Sequence, residues 1–239
     1  MLKRLLFACP FWASQVIYAQ EYVADSGDFT GKNYVKQYYN SQRGAESAIY
    51  NGKLFYSYSS DIEGIPYFQS ANWQKGTVVY ENIIYEDILM KYDLVKSQLI
   101  VTPNETGGMH ISLYSPRIQE FGFSGFHFIY FNKKKDNSSL PEGFYQLLVK
   151  GTITVFANTK KIISEKIVGN TLDKKFEENV SYYLLKKGQY YHINSQNDLL
   201  NALEEHRKEI KVLLKTMKLK YRKDPLRIII ASVELYNQS

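Results

Sequence analysis

Phe144-Tyr145-Gln146-Leu147-Leu148-Val149, then Lys150-Gly151, then Thr152-Ile153-Thr154-Val155-Phe156-Ala157: the fold is decided by how this stretch is read. Aromatic and β-branched residues crowd both runs, and a Lys-Gly pair divides them, so the reading is strand, turn, strand. The same grammar extends outward in both directions. Further strands are predicted at Gly76 to Tyr80, Tyr85 to Tyr92, Gln98 to Thr102, Met109 to Tyr114, Arg117 to Phe123, Phe126 to Phe131, Val180 to Leu185 and Tyr190 to Ile193. Turn chemistry falls between them at Pro103-Asn104 with Gly107-Gly108, at Ser115-Pro116, over Lys133 to Gly143 and at Lys187-Gly188. Asn51-Gly52, set between Ala48-Ile49-Tyr50 and Leu54-Phe55-Tyr56, predicts a hairpin. About ten short strands joined this way argue for antiparallel meanders, closed into a barrel or stacked as a sandwich.

The pattern changes at Ser195. Ser195 to Asp198 has capping-box form, and Leu199, Leu203, Ile210, Leu213, Leu214 and Met217 recur at helical spacing, with Glu204 and Lys208 on the other side. Asp224-Pro225 then supplies an N-cap and a first-turn proline for a second helix carrying Leu226, Ile229, Ile230, Val233 and Tyr236. The expected fold class is therefore α+β: a mainly antiparallel barrel or sandwich over 45–194, with a C-terminal helical hairpin over 195–239 packed on it.

Residues 1–44 read differently. Lys3 and Arg4 precede a mostly apolar run from Leu5 to Tyr18, and Ala19 provides the small residue that a signal peptidase needs, which predicts a secretory leader over 1–19. Cys9 follows only four apolar residues, a short approach for a lipoprotein box, and lipidation there is a minor alternative. Residues 20–44 are polar and contain glycine, and are read as a loosely docked arm. Removing the leader would leave 28 basic and 24 acidic side chains, a net charge of +4, and no cysteine. Disulfides, thiolate catalysis and Cys-ligated zinc fall away together. No later stretch reaches eighteen consecutive apolar residues, so no transmembrane helix is expected.

Catalytic motifs fail one by one. Gly27 to Asn33 has the wrong spacing and ending for a phosphate loop. Gly122-Phe123-Ser124-Gly125 lacks the spacing of a nucleophile elbow and is read as a bend or bulge in a strand. His110, His127, His192 and His206 show no metal-ligand spacing, and neither a metal nor a cofactor is expected. Glu63, Asp87 and Asp93 could serve as a general acid and base only if the fold brought them together.

Two features resist dismissal. Lys215, Lys218, Lys220, Arg222 and Lys223 place five cations within nine residues at the junction of the two helices. Such a patch suits an anionic headgroup, and peripheral membrane contact stays open, whereas an exported location argues against nucleic acid. The second feature is the chain's 21 tyrosines. Each buried phenol needs a hydrogen-bond partner, so some should face a ligand or partner, unless they form a cross-strand ladder. The candidates for such a surface are Tyr67, Phe68, Trp73, Tyr85, Tyr92 and Tyr145.

Several segments also carry a likeness. Asn51-Gly52, Glu63-Gly64-Ile65-Pro66-Tyr67-Phe68, Trp73 with Gly76, the run from Tyr85 to Lys91-Tyr92-Asp93, Gly143-Phe144-Tyr145 and Tyr221-Arg222-Lys223-Asp224 resemble a group of secreted proteins of Bacteroidota. The resemblance implies an envelope location, periplasmic or at the outer membrane, and supplies no catalytic residue. The functional expectation is an exported, non-enzymatic protein that binds an envelope protein, a glycan or a lipid through an aromatic β surface. The alternatives are a periplasmic carrier with an apolar ligand inside the barrel and, third, a hydrolase of envelope polymers.

Overall fold

Strand pairing in the computed structural model, which describes residues 48–103, 108–133 and 140–238, produces one open sheet. The leader, the polar arm, the phosphate-loop look-alike and residues 104–107 and 134–139 of two expected turns lie outside the described residues. Twelve strands form among those described: β1 (Lys53–Leu54), β2 (Ile62–Glu63), β3 (Gln74–Tyr80), β4 (Ile83–Asp93), β5 (Gln98–Thr102), β6 (Ile111–Ser112), β7 (Ile118–Phe123), β8 (Phe126–Phe131), β9 (Gly143–Val149), β10 (Ile153–Val168), β11 (Thr171–Lys186) and β12 (Gln189–Ile193). Their order is β1-β6-β5-β4-β3-β7-β8-β9-β10-β11-β12, antiparallel throughout, with β2 added in parallel to β11. The α+β class holds, but the sheet is not closed into a barrel, because β1 and β12 remain separate edges.

Pairing also fixes the faces, since residues directly opposite in register share one. One face carries Val78, Met90, Tyr92, Leu99, Val101, Phe121, Phe123, Phe128 and Phe144, and Ile49 and Phe68 pack into the same cluster. Continued across β9 to β12, that face meets the helices through Ile153, Val155, Leu184 and Ile193. The opposite face carries a small third cluster of Leu140, Tyr145, Phe156 and Tyr183.

Two expected turns come out differently. Ala48–Tyr50 is a 3-10 turn, and Lys53–Leu54 pairs with β6, so Asn51-Gly52 does not turn a hairpin. Gly52 is small for another reason: a Cβ there would overlap Ile111 and stand 2.8 Å from the Ser112 carbonyl oxygen. Ile49 is buried in the core and Tyr50 packs against it, instead of forming a strand. Ser124-Gly125 is a true hairpin turn between β7 and β8, with φ +50° and +79°, rather than a bulge inside a strand.

The largest departure from expectation is β10 and β11. Each has sixteen residues, paired without interruption from Ile153↔Lys186 to Val168↔Thr171. Gly169 opens their two-residue loop at φ +62°, the positive value that a II′ turn requires at its first loop position. The far half of this hairpin is tied down by the segment 58–67. Lys174↔Ile62 and Lys175↔Glu63 pair backbones, Lys174 lies 3.3 Å from Asp61, and Lys161 Nζ donates to the Ile65 and Tyr67 carbonyls at 2.9 and 3.3 Å.

Three helices follow: α1 (Gln196–Ala202), α2 (Arg207–Thr216) and α3 (Pro225–Asn237). Ser195 caps α1 as expected, its Oγ accepting from the Asp198 N–H at 3.2 Å. The expected first helix breaks at Leu203 because the buried Lys186 ammonium donates to the Ala202 carbonyl at 2.8 Å and to Glu205 at 2.5 Å. That carbonyl is thereby withdrawn from the helical ladder. Asn237 fastens the other end, its Oδ1 accepting from the Ile153 N–H at 2.9 Å.

Candidate functional site

A strip of rings and cations runs along the outer face of the sheet where β4 ends. Alternation on β4 sends Met90 and Tyr92 inward, so Lys91 and Asp93 project outward. Beyond Met90, β3 has not yet begun, and residues 66–68 take its place: the Phe68 N–H donates to the Tyr92 carbonyl at 2.8 Å and the Leu94 N–H to Pro66 at 3.0 Å. Tyr67, bridged to Asp93, therefore shares the outer face, while Phe68 enters the core.

The Asp93 carboxylate is fully buried and fully engaged. It accepts from the Tyr58 hydroxyl at 2.8 and 3.1 Å and from the N–H groups of Val95 and Lys96 at 2.8 and 3.0 Å. This closes the β4–β5 turn and fixes the Tyr58 ring above it. Two lysines then settle between rings. Lys91 Nζ lies 4.2 Å from the Trp73 ring centre and 5.1 Å from that of Tyr67, and Lys96 Nζ lies 4.8 Å from both Phe55 and Tyr58. These are cation–π distances. His110 meets the Trp73 ring at 4.8 Å, and Phe176 of the long hairpin meets Tyr58 at 5.4 Å.

The electrostatics follow from partial burial. Burial holds the Lys91 ammonium below the usual lysine range. Burial first, and the Asp93 charge second, push the Tyr67 phenol up; Tyr58 is pushed further by burial and by its hydrogen bond to Asp93. Raised in this way, both phenols keep their protons at neutral pH. The strip thus presents lysines and ring edges, with its carboxylate hidden; Tyr56 and Met109, the sequence neighbours of Phe55 and His110, are 73 % and 69 % exposed.

Of the six aromatic candidates, only Tyr67 and Trp73 stand in this strip. Phe68, Tyr85, Tyr92 and Tyr145 are buried and cannot offer their rings to an outside ligand. Tyr92 touches Phe121, Phe128 and Phe144 at 5.2 to 5.5 Å between ring centres, filling the space where a carrier would hold its cargo. Sequence reasoning passed over Lys91 and Lys96; the signal for Lys91 was a charged residue in alternation with buried apolar ones. The four histidines stay apart, His127 against Glu120, His192 stacked on Tyr183 and His206 against Tyr236, and no metal-holding cluster forms among the described residues. Asp87 and Asp93, six residues apart on one strand, are separated by about 20 Å. Lys215, Lys218, Lys220, Arg222 and Lys223 are all exposed, well away in sequence from the strip, and no helix among the described residues is long and apolar enough to cross a membrane.

A wider cleft of about 740 Å³ opens beside the β6 end of the sheet, lined in part by Tyr80, Gln98, Tyr114 and Arg117. Several of its polar groups are engaged within the protein: Ser112 donates to Gln98 at 2.7 Å and Arg117 to Glu81 at 2.6 Å. Compared with protein-family models, with curated proteins and with solved structures, the chain has no match.

Proposed function

We propose that this is a non-enzymatic binding protein of the cell envelope, exported by its leader, that holds an acidic glycan on the outer strip formed by Tyr67, Trp73, Lys91 and His110. The observation that carries the reading is the placement of Lys91 between Tyr67 and Trp73. Ring faces and edges suit the apolar faces of sugars, and a partly desolvated ammonium among them suits a carboxylate or sulfate better than a neutral hydroxyl. The likeness to secreted Bacteroidota proteins supports the compartment.

Trp73 is the only tryptophan outside the leader, so the strip contains its own reporter. Titrating the protein with oligogalacturonate is expected to shift Trp73 emission, whereas malto-oligosaccharide leaves it unchanged. Tyr67→Ala and Lys91→Gln should each weaken binding by about tenfold, the equivalent of 1.4 kcal/mol. Emission that ignores both sugars, or affinity untouched by either variant, rejects the proposal.

A further inference from the structure

The charge of this chain is not spread over it. Between Arg207 and Arg227 stand nine lysines and arginines against two acids, Glu209 and Asp224, whereas the whole chain has 30 against 24. The remaining sequence is therefore slightly acidic, and the basic excess belongs to α2, α3 and their junction. All nine cations are exposed, and none of them enters an ion pair among the described residues. A helix dipole accounts for Lys215, in the last turn of α2, and for little else.

The cations are held on a fixed frame. The Tyr221 hydroxyl donates to the Ile193 carbonyl at 2.9 Å, and the N–H groups of Lys223 and Asp224 donate to the Lys220 carbonyl at 2.9 and 3.1 Å. Ile210 and Leu214 of α2 and Ile228, Ile229 and Val233 of α3 face the core, which leaves the other helix faces outward. On those outward faces, apolar side chains sit among the charges: Val212 is 66 % exposed and Leu226 is 37 % exposed. A groove of about 540 Å³ between the end of α2 and α3 is lined by Met217, Pro225, Leu226 and Ile230, with Lys223 and Arg227 on its wall beside Asp224 and Glu234.

A soluble polyanion would be satisfied by the cations and would leave Val212, Leu226 and the groove without a role. An anionic bilayer offers both a plane of phosphates and, just beneath it, an apolar layer. We propose that the α2–α3 face docks on the surface of a bilayer containing anionic phospholipid, its lysines and arginines on the headgroups and Val212 and Leu226 in the interface. This proposal stands independently of the aromatic strip.

Flotation of the full chain with vesicles tests it. Binding is expected to vesicles of phosphatidylcholine with phosphatidylglycerol and not to phosphatidylcholine alone. Replacing Lys211, Lys215, Lys218 and Arg222 together by glutamine should reduce binding at least about a hundredfold, given the contribution of each cation near a charged surface. Val212→Ser with Leu226→Ser should weaken vesicle binding while leaving binding to inorganic polyphosphate unchanged. All six side chains are exposed, so these variants leave the core intact. Equal binding to neutral vesicles, indifference to the glutamine variant, or vesicle binding unaffected by the serine pair would each overturn the proposal, the last in favour of a general polyanion site.

Discussion

Tyr92 shows how one residue type can mislead. Its ring lies at the centre of the aromatic core, and its buried hydroxyl has no hydrogen-bond partner among the described residues. Removing a buried unpaired hydroxyl while keeping the ring relieves its desolvation cost, so Tyr92→Phe is expected to stabilise the protein by about 1 kcal/mol, read from the urea midpoint. Tyrosine has an apolar body and a polar tip, so its abundance alone could not separate Tyr92 from Tyr67. Strand alternation could: Lys91 and Asp93 flank Tyr92 and mark it as inward. The Lys186–Glu205 pair was not legible by any such rule, because its partners come from a strand and from a helix junction. Its hydrogen bond to Lys186 holds the Glu205 carboxyl down to about 2, against an ordinary 4.5. A carboxyl whose folded value is lowered contributes stability that is complete above 4.5 and is lost as pH falls towards 2. Accordingly, the gap in stability between the parent and Glu205→Gln, followed by urea denaturation across pH, should be constant at neutral pH and close steadily in acid.

Among the elements, those filled with apolar and aromatic residues were readable almost to the residue, as β5 and β8 show. The long hairpin was not. Its base repeats the apolar pattern of the core, but residues 158–179 are rich in charges, and Ile162, Ile163, Ile167, Val168, Leu172 and Phe176 among them do not keep a strict alternation. What makes them strand is cross-strand pairing with a correct turn at the tip and the anchoring of the far end by β2. The turn itself can be tested. Nothing lies within 4 Å of a Cβ built on Gly169, so Gly169→Ala meets no clash and carries only the cost of a positive φ. A loss of about 1 kcal/mol in denaturant unfolding is expected. The helical region failed in the opposite direction: apolar spacing ran smoothly through Leu203, and the break came from a lysine in a strand.

For the whole molecule, strand chemistry and helix spacing were enough for the α+β class and for the order of its parts. Closure was not legible, since it depends on whether two edges far apart in sequence meet, and no local residue encodes that. Nor was the filling of the interior: Phe121, Phe128 and Phe144 pack against one another in the core, a result of side-chain volume and strand placement together.

The pairings of the N-terminal segment have a consequence for the order in which the molecule can be completed during synthesis. β1 pairs only with residues 111 and 112, and β2 only with residues 174 and 175. Neither contact can form until those later strands exist, although most of the sheet between them joins strands that are neighbours in sequence. Phe55, Tyr58 and Tyr67 therefore emerge early and wait, and Tyr58 gains its Phe176 contact only once β11 has been made. The aromatic strip thus begins among the first described residues, and its Tyr58 flank is finished only when Phe176 has been made.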